Sequence, residues 1–162
     1  MSTLIATFFY IGHMRPAPGT WGSLAALPVA YVIIQIGSWP LLLLAAIVAY
    51  FAGLWATRQE TAGKDNHDPS EIVIDEVAGQ WIALLPVAIG AALTDMPVVV
   101  FWPGWIAAFV LFRLFDITKP WLVGWADRRD DAVGVMLDDV IAGIFAAIGV
   151  VVCAALYHWI AM

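Results

Sequence analysis

The sequence predicts an all-α fold, a polytopic membrane helix bundle of about five transmembrane helices plus a short N-terminal interfacial or re-entrant helix. Hydrophobic residues make up 63% of the chain and charged residues only 12%, whereas a soluble domain carries about 25% charged residues. The mean hydropathy is +0.90, and the apolar residues are gathered in long runs. The length of 162 residues suits one integral-membrane domain over residues 1–162.

The predicted helices follow from the length of the apolar runs, because a spanning helix needs about 20 mostly apolar residues. Five segments qualify, at about residues 21–37, 39–56, 77–94, 98–115 and 140–161. The sequences GSWP and TDMP are tight turns that join the first and second spans and the third and fourth spans. Residues 3–12 are apolar but too short to cross, so they are predicted to be interfacial or re-entrant.

The charges predict the orientation of the chain in the membrane. With five crossings, residues 1–20, 57–76 and 116–139 lie on one side, and Arg113 lies at that end of its helix. All seven Lys and Arg residues then belong to this side, so the positive-inside rule places it in the cytoplasm. Every acidic residue except Asp95 is on the same side. Polar chemistry is therefore expected at the cytoplasmic surface.

Two apolar segments each start with a pair of carboxylates, in the sequences IVIDEVAGQW (72–81) and VMLDDVIAG (135–143). The pairs are Asp75-Glu76 and Asp138-Asp139, and they are expected at the starts of helices. Helix capping accounts for one acid at each start but not for two. Adjacent carboxylates repel unless a cation lies between them, and hard oxygen ligands suit Mg²⁺. The four acids are therefore candidate Mg²⁺ ligands, with simple capping as the alternative.

An Ala-Gly pair follows each acidic pair, ending at Gly79 and Gly143. Glycine in a membrane helix lets a neighbouring backbone approach closely, which also applies to Gly53 and Gly90. These positions are therefore expected to be helix–helix contacts.

The sequence RPAPGTWGSL (15–24) precedes the first span and is a candidate phosphate-binding segment. A rigid loop with a Thr or Ser cap explains it equally well. In the functional interpretation, backbone N–H groups at a helix start bind phosphate and Arg15 adds positive charge. The Gly-Lys-Ser/Thr ending of a Walker loop is missing. The candidate residues are Arg15, Gly19, Thr20, Gly22 and Ser23.

The sequence FRLFDITKPW (112–121) repeats charged residues at a spacing of three, which places Arg113, Asp116 and Lys119 roughly on one helix face before Pro120 ends the helix. An interfacial salt bridge is the simpler interpretation. In the functional one, Arg113 and Lys119 bind phosphate, and Asp116 joins the metal site or orients a base.

The segment KDNHDPSEI (64–72) is more typical of a solvated loop than of a site. Asp68 alone is a further candidate, as a metal ligand or as a hydrogen-bond partner of one.

Carboxylates, a Gly/Thr/Ser segment and Arg/Lys together suit a phosphate bound with a divalent cation. A phosphate monoester carries about −1.5 to −2 charges, which carboxylates alone would repel and a bridging Mg²⁺ would neutralise. A membrane-surface site implies a substrate anchored in the bilayer, hence a lipid phosphate. The sequence lacks the Cys-x₅-Arg, DxDx(T/V) and type 2 phosphatidic acid phosphatase motifs, and also the CDP-alcohol phosphotransferase pattern. It indicates no nucleic-acid partner and no particular oligomeric state.

Four segments in order, PAPGTWGS, DPSEIVIDEVAGQW, FRLFDITKPW and GVMLDDVIAG, resemble the signature blocks of the phosphatidylglycerophosphatase A family, from about Gly12 to Gly143. The resemblance implies a multi-pass enzyme of the bacterial inner membrane. It implies Mg²⁺-dependent hydrolysis of phosphatidylglycerophosphate to phosphatidylglycerol and inorganic phosphate. The family's blocks fall on Asp75, Glu76, Asp138 and Asp139, on Arg113, Phe115, Asp116, Lys119 and Pro120, and on Pro18, Gly19 and Thr20. YIGHM replaces the family's glycine-rich stretch, and Arg15 stands where many members have Pro.

The expected chemistry is attack of an activated water on the terminal phosphorus, with an aspartyl-phosphate intermediate as an open alternative. Two other functions stay open: a small cation transporter or channel that uses the acids as an ion site, and a structural membrane protein with capped helices. The acids lie at the ends of apolar segments and on one side, which disfavours an ion path across the membrane.

Overall fold

The computed structural model describes residues 1–64 and 69–161, and these residues form helices and no β-strand. The α-helices are α1 (Ser2–Ala6), α2 (Pro18–Thr61), α3 (Ile74–Thr94), α4 (Trp102–Thr118), α5 (Leu122–Asp127) and α6 (Ala132–Ala161). Short 3₁₀ helices cover Ile11–His13 and Val98–Phe101. The predicted all-α class is confirmed. The candidate residue Asp68 lies outside the described residues.

Helix α2 is a helical hairpin that supplies two crossings. Its 44 residues would extend about 66 Å, about twice the hydrocarbon thickness of a bilayer. The helix is interrupted at Gly37 and Ser38, where Ser38 has a φ of 57°. Gly22 in the first arm packs against Val73, and Gly53 in the second arm packs against Ile74, so both arms reach the same end of α3. The chain therefore turns back at the predicted GSWP turn.

Within the described ranges, four helical segments are long and apolar enough to cross a membrane: α2, α3, α6, and α4 together with the 3₁₀ helix before it. Because α2 folds back on itself, these segments correspond to the five predicted crossings. The prediction of a polytopic membrane helix bundle is confirmed.

Helices α3 and α6 cross in direct backbone contact. A Cβ added to Gly143 would lie 2.4 Å from the carbonyl oxygen of Gly79, and one added to Gly79 would lie 2.5 Å from that of Asp139. Only glycine permits this approach, as the Ala-Gly pairs predicted. The same added Cβ of Gly79 would meet the ring of Phe112, so α4 also packs at this crossing. The largest fully buried side chains among the described residues are those of Phe112, Leu42, Leu84 and Met136.

Helix α5 is an element that the sequence analysis did not predict. Lys119 and Trp121 have positive φ angles of 45° and 43°, and they turn the chain from α4 into α5. Val123 and Ala126 are buried, whereas Trp121, Leu122 and Trp125 are exposed. A short helix with one apolar, Trp-rich outer face is typical of the membrane interface.

The N-terminal segment stays at the end of the bundle that carries the acids. Thr3 Oγ1 donates a hydrogen bond to Glu60 Oε1 at 3.0 Å, and the Val73 amide donates to the Ala6 carbonyl oxygen at 2.9 Å. Phe8 packs edge-on against the Trp81 ring, at a centroid distance of 6.4 Å. A five-residue α1 is too short to cross, which agrees with the predicted short N-terminal helix.

Candidate active site

A pocket of about 290 Å³ opens at the end of the bundle where α2 begins, α3 begins and α4 ends. Its walls hold most of the charged residues singled out in the sequence. The lining residues are Ala17, Pro18, Gly19, Ser70, Ile72, Asp75, Glu76, Arg113, Asp116, Ile117, Lys119, Val135, Asp138 and Asp139.

The first acidic pair lies in the first turn of α3, as predicted. Asp75 Oδ1 accepts a hydrogen bond from the Glu76 amide at 3.0 Å. Asp75 is buried, and both side chains sit at the positive end of the helix dipole, which favours negative charge there.

The second acidic pair does not begin a helix, so that part of the prediction is wrong. Helix α6 starts at Ala132, and Asp138 and Asp139 lie nearly two turns inside it. Asp131 caps the helix instead, because its Oδ1 accepts a hydrogen bond from the Gly134 amide at 2.7 Å. Hydrogen bonds from Arg129 and from Gly134 hold the pKa of Asp131 below its usual range. Capping therefore cannot explain the buried pair Asp138-Asp139.

The two pairs converge where α3 and α6 cross. One carboxylate oxygen from each of Asp75, Glu76 and Asp139 lies within 4.8 Å of the others. Glu76 Oε2 and Asp139 Oδ1 are buried and have no hydrogen-bond partner among the described residues. Buried charged oxygens without partners are costly unless a cation binds them. Three hard oxygen donors at this spacing fit a divalent cation such as Mg²⁺.

Asp138, the fourth predicted ligand, faces a lysine. Its Oδ2 accepts a hydrogen bond from Lys119 Nζ at 3.0 Å, and its Oδ1 accepts one from the Asp139 amide at 2.9 Å. Lys119 Nζ also donates to Asp127. Partial burial alone would lower the pKa of Lys119, but the hydrogen bond to Asp127 and the charge of Asp138 outweigh it and raise that pKa above its ordinary value.

Arg113 forms the opposite wall of the pocket. Its Nη1 lies 2.5 Å from Asp116 Oδ2 and 3.9 Å from Glu76 Oε1, and it donates a long hydrogen bond of 3.4 Å to Ser23 Oγ. Lys119 follows the last residue of α4 in a left-handed conformation, so the predicted common helix face of Arg113, Asp116 and Lys119 is interrupted. The two cations therefore approach the pocket from different directions.

The predicted phosphate segment contributes mainly through Gly19. A Cβ on Gly19 would lie 2.0 Å from Glu76 Oε1 and 3.2 Å from Arg113 Nη1, so the backbone of α2 touches the charged site directly. Gly22 packs against Val73, and Ser23 is buried and donates to the Gly19 carbonyl oxygen at 2.8 Å. Thr20, Gly22 and Ser23 do not line the pocket.

Arg15 lies at the rim and does not line the pocket either. Its Nη2 lies 2.8 Å from Glu71 Oε1, and its Nη1 donates to Ser70 Oγ at 3.1 Å. Ser70 is a lining residue, so Arg15 supports the rim through it.

Sequence reasoning missed Asp127, Ser70, Ile117 and Val135. Asp127 belongs to the sequence DRRDD, which resembles a solvated charged run, and its pairing with Lys119 depends on the unpredicted helix α5. Ile117 and Val135 are apolar, and no sequence signal separates them from lipid-facing residues. Ser70 lay in a segment that resembled a solvated loop.

The model of the family described as "Phosphatidylglycerophosphatase A" matches residues 4–154. The chain belongs to the phosphatidylglycerophosphatase A family. It is 34% identical to a phosphatidylglycerophosphatase A of Haemophilus influenzae, over 96% of this chain and 88% of that protein. It is also 34% identical to a phosphatidylglycerophosphatase A of Escherichia coli K12, over 96% of this chain and 84% of that protein.

A Bacteroides thetaiotaomicron protein that bears the name "Putative phosphatidylinositol-3-phosphatase" is 39% identical, over 91% of this chain and 90% of that protein. No solved structure matches the chain. Membership of the phosphatidylglycerophosphatase A family makes this protein an enzyme, a phosphatase that hydrolyses phosphomonoesters. Its apolar helices and its family together identify it as a membrane-embedded lipid phosphatase.

Proposed function

We propose that this protein is a Mg²⁺-dependent phosphatase that hydrolyses phosphatidylglycerophosphate to phosphatidylglycerol and inorganic phosphate. The proposal includes its location: a multi-pass protein of the bacterial inner membrane whose active site faces the cytoplasm. The observation that carries it is the cluster of Asp75, Glu76 and Asp139, with two buried carboxylate oxygens that have no protein partner in the described chain. Family membership supplies the reaction class.

Asp75, Glu76 and Asp139 would hold the cation, and Asp138 and Asp116 stand beside them as further candidates. When bound, Mg²⁺ offsets the charge of the phosphate monoester, about −1.5 to −2, and favours ionisation of water. Without a cation, these acids would repel the substrate.

The remaining charged residues have separate tasks in the proposed reaction. Arg113, which Asp116 orients, donates to a non-bridging oxygen of the phosphate, and Lys119 approaches from the opposite wall. Asp138 accepts the proton of the attacking water, since it lies outside the cluster of three and in the same pocket. The water oxygen forms a bond to phosphorus, the bond from phosphorus to the glycerol oxygen breaks, and that oxygen takes up the proton that Asp138 accepted.

The orientation rests on the distribution of charge. The pocket lies at the end of the bundle where the described Lys and Arg residues are found, and the positive-inside rule assigns that end to the cytoplasm.

The test measures phosphate release by the purified protein in detergent. With phosphatidylglycerophosphate, EDTA should remove activity and added Mg²⁺ should restore it. Activity that persists after complete chelation would exclude the metal proposal. Phosphatidylinositol 3-phosphate and phosphatidic acid are the substrate controls, the first because of the name of the Bacteroides relative. A higher kcat/KM for either control lipid would exclude phosphatidylglycerophosphate as the preferred substrate.

A cation transporter was the main alternative from the sequence. The acids gather around one pocket at one end of the bundle, whereas a transport path needs polar groups along the membrane depth. In liposomes, phosphate release without ion flux supports the phosphatase, and ion flux without phosphate release supports the transporter.

A further inference from the structure

We propose that the groove between the first arm of α2 and helix α4 binds an acyl chain of the lipid substrate and guides its headgroup into the pocket. This inference rests on the proposed function. It adds the route and the binding surface of the hydrophobic part of the substrate.

The pocket is open toward the lipid side at Ile117. This residue lines the pocket next to Asp116, yet 67% of its surface is exposed. An apolar side chain that touches both the charged pocket and the bilayer marks a path between them. Ala17 and Pro18, where α2 begins, also line the pocket.

The α2 wall of the groove is a row of residues at helical spacing below the opening: Thr20, Leu24, Leu27 and Tyr31. Residues three and four apart in a helix share a face. Leu24 and Tyr31 are 38% and 40% exposed, so this row is only partly covered by protein.

The α4 wall of the groove is equally apolar. Ile106, Val110 and Ile117 lie at spacings of four and seven, which places them on one face, and all three are more than half exposed. The two walls hold no charged side chain.

Two contacts hold the walls of the groove together. At the polar end, Arg113 of α4 reaches Ser23 of α2. At the deep end, Tyr31 and Trp105 bring their ring centroids to 6.5 Å. From Thr20 to Tyr31 the helix rises about 16 Å, close to the hydrocarbon depth of one leaflet, which is about 15 Å. An acyl chain of a lipid in the same leaflet therefore fits the length of the groove.

The connection between the groove and the charged pocket indicates which molecule the groove binds. A groove that starts at a phosphate-sized charged pocket, runs for about one leaflet and has no charged residue in its two exposed rows matches a lipid whose headgroup is in the pocket. Docking of a protein helix would leave the opening at Ile117 without a role.

The experiment compares two substrates in Leu24→Trp and Val110→Trp, which fill the groove without lining the pocket. The substrates are dioleoyl phosphatidylglycerophosphate and its deacylated headgroup, glycerophosphoglycerol phosphate. The ratio of kcat/KM for the diacyl lipid to that for the headgroup should fall about tenfold, chiefly through KM, because a filled apolar site rejects its ligand. The matched control is Leu44→Trp, at a lipid-facing position of the second arm of α2 that is 54% exposed, and it should leave the ratio unchanged.

Activity toward the headgroup reports that the variants are folded. An unchanged ratio in both groove variants, or an equal loss on both substrates, would overturn the groove proposal. Failure of the proposed function has a different signature, because the wild-type protein would then release no phosphate from the diacyl lipid in Mg²⁺.

Discussion

At the scale of single residues, the carboxylates of the site are of two kinds, with and without a hydrogen-bond partner in the described part of the protein. Glu76 and Asp139 each have a buried oxygen with no hydrogen-bond partner among the described residues, whereas Asp138 accepts a hydrogen bond from Lys119. Glu76 and Asp139 therefore need a bound cation, whereas the ammonium group of Lys119 already balances the charge of Asp138. Neighbouring acids in the sequence therefore have different roles.

Neutralising either cation-binding acid should stop the reaction. Glu76→Gln and Asp139→Asn keep the shape of the side chain but remove a charged ligand, so phosphate release should fall at least about 100-fold. The measurement is initial rate in saturating Mg²⁺. Glu60→Gln is the control, since Glu60 contacts Thr3 and does not line the pocket. A near-normal rate in Glu76→Gln would remove Glu76 from the metal site.

Lys119 is expected to act as a permanent cation, positioned by Asp127. Lys119→Met should lower kcat/KM by about 30-fold or more, the equivalent of a charged hydrogen bond of about 2 kcal/mol. Asp127→Asn should cost only several-fold, because Asp138 still holds the ammonium group.

The pH dependence of activity tests whether Lys119 acts as a cation that Asp127 positions. Because the folded pKa of Lys119 is raised, its charge is complete below the unfolded pKa of about 10.4 and is lost only as pH rises through the higher folded value. Lys119 should therefore cause no loss of wild-type activity between about pH 7 and 9. In Asp127→Asn, any alkaline decline should move to lower pH. An identical alkaline decline in both proteins, measured above about pH 10, would contradict positioning by Asp127.

The contact between the two acidic motifs could be predicted from the sequence, whereas a contact across an irregular turn could not. Asp75, Glu76 and Asp139 meet because their motifs share a glycine spacing that brings two helices together. The contact between Lys119 and Asp127 depends on the positive φ angles of Lys119 and Trp121, which the sequence does not predict.

At the scale of helices, the decisive contact is the crossing of α3 and α6. The carbonyl oxygen of Gly79 would lie 2.4 Å from a Cβ on Gly143, so backbone packing fixes the distance between the two acidic pairs. A wider crossing would separate Asp139 from Asp75 and Glu76.

Gly143→Ala should therefore damage both stability and metal binding. The added methyl group meets backbone rather than a flexible side chain, so the helices must separate, at a cost of about 1–3 kcal/mol. Thermal unfolding in detergent should shift downward, and the Mg²⁺ concentration for half-maximal activity should rise.

Gly90→Ala is the matched control in α3, because its nearest neighbour, Phe101, would be at an ordinary 3.6 Å. An unchanged Mg²⁺ requirement in Gly143→Ala would show that the crossing does not set the geometry of the cluster.

Helix starts illustrate why some boundaries could not be predicted. Hydropathy places the last span at about 140–161, but α6 begins at Ala132 because Asp131 caps it. The first turns of α6, before residue 140, extend toward the aqueous end of the bundle. The length of an apolar run cannot predict a helix there. The turn within α2 could be predicted, because Gly37, Ser38 and Pro40 interrupt an apolar run that is too long for one crossing.

At the scale of the whole molecule, the polar end carries the pocket, the short helices α1 and α5, and the described cations, whereas the opposite end carries Asp95. The proposed topology makes a direct prediction for labelling. In a Cys153→Ser background, Asp95→Cys should react with a membrane-impermeant maleimide in intact spheroplasts, and Arg128→Cys should react only after lysis. The reverse pattern would contradict the cytoplasmic orientation.

The exposed last third of α6 has a consequence for how the enzyme responds to its membrane. Residues 151–160 are all exposed, whereas the acids and the crossing lie near the other end of the helix. Hydrophobic mismatch can then be absorbed by tilt or bending of this unsupported end, at a fraction of a kcal/mol per ångström. Turnover in vesicles should accordingly change little when the acyl chains of the host lipids are shortened or lengthened by a few carbons.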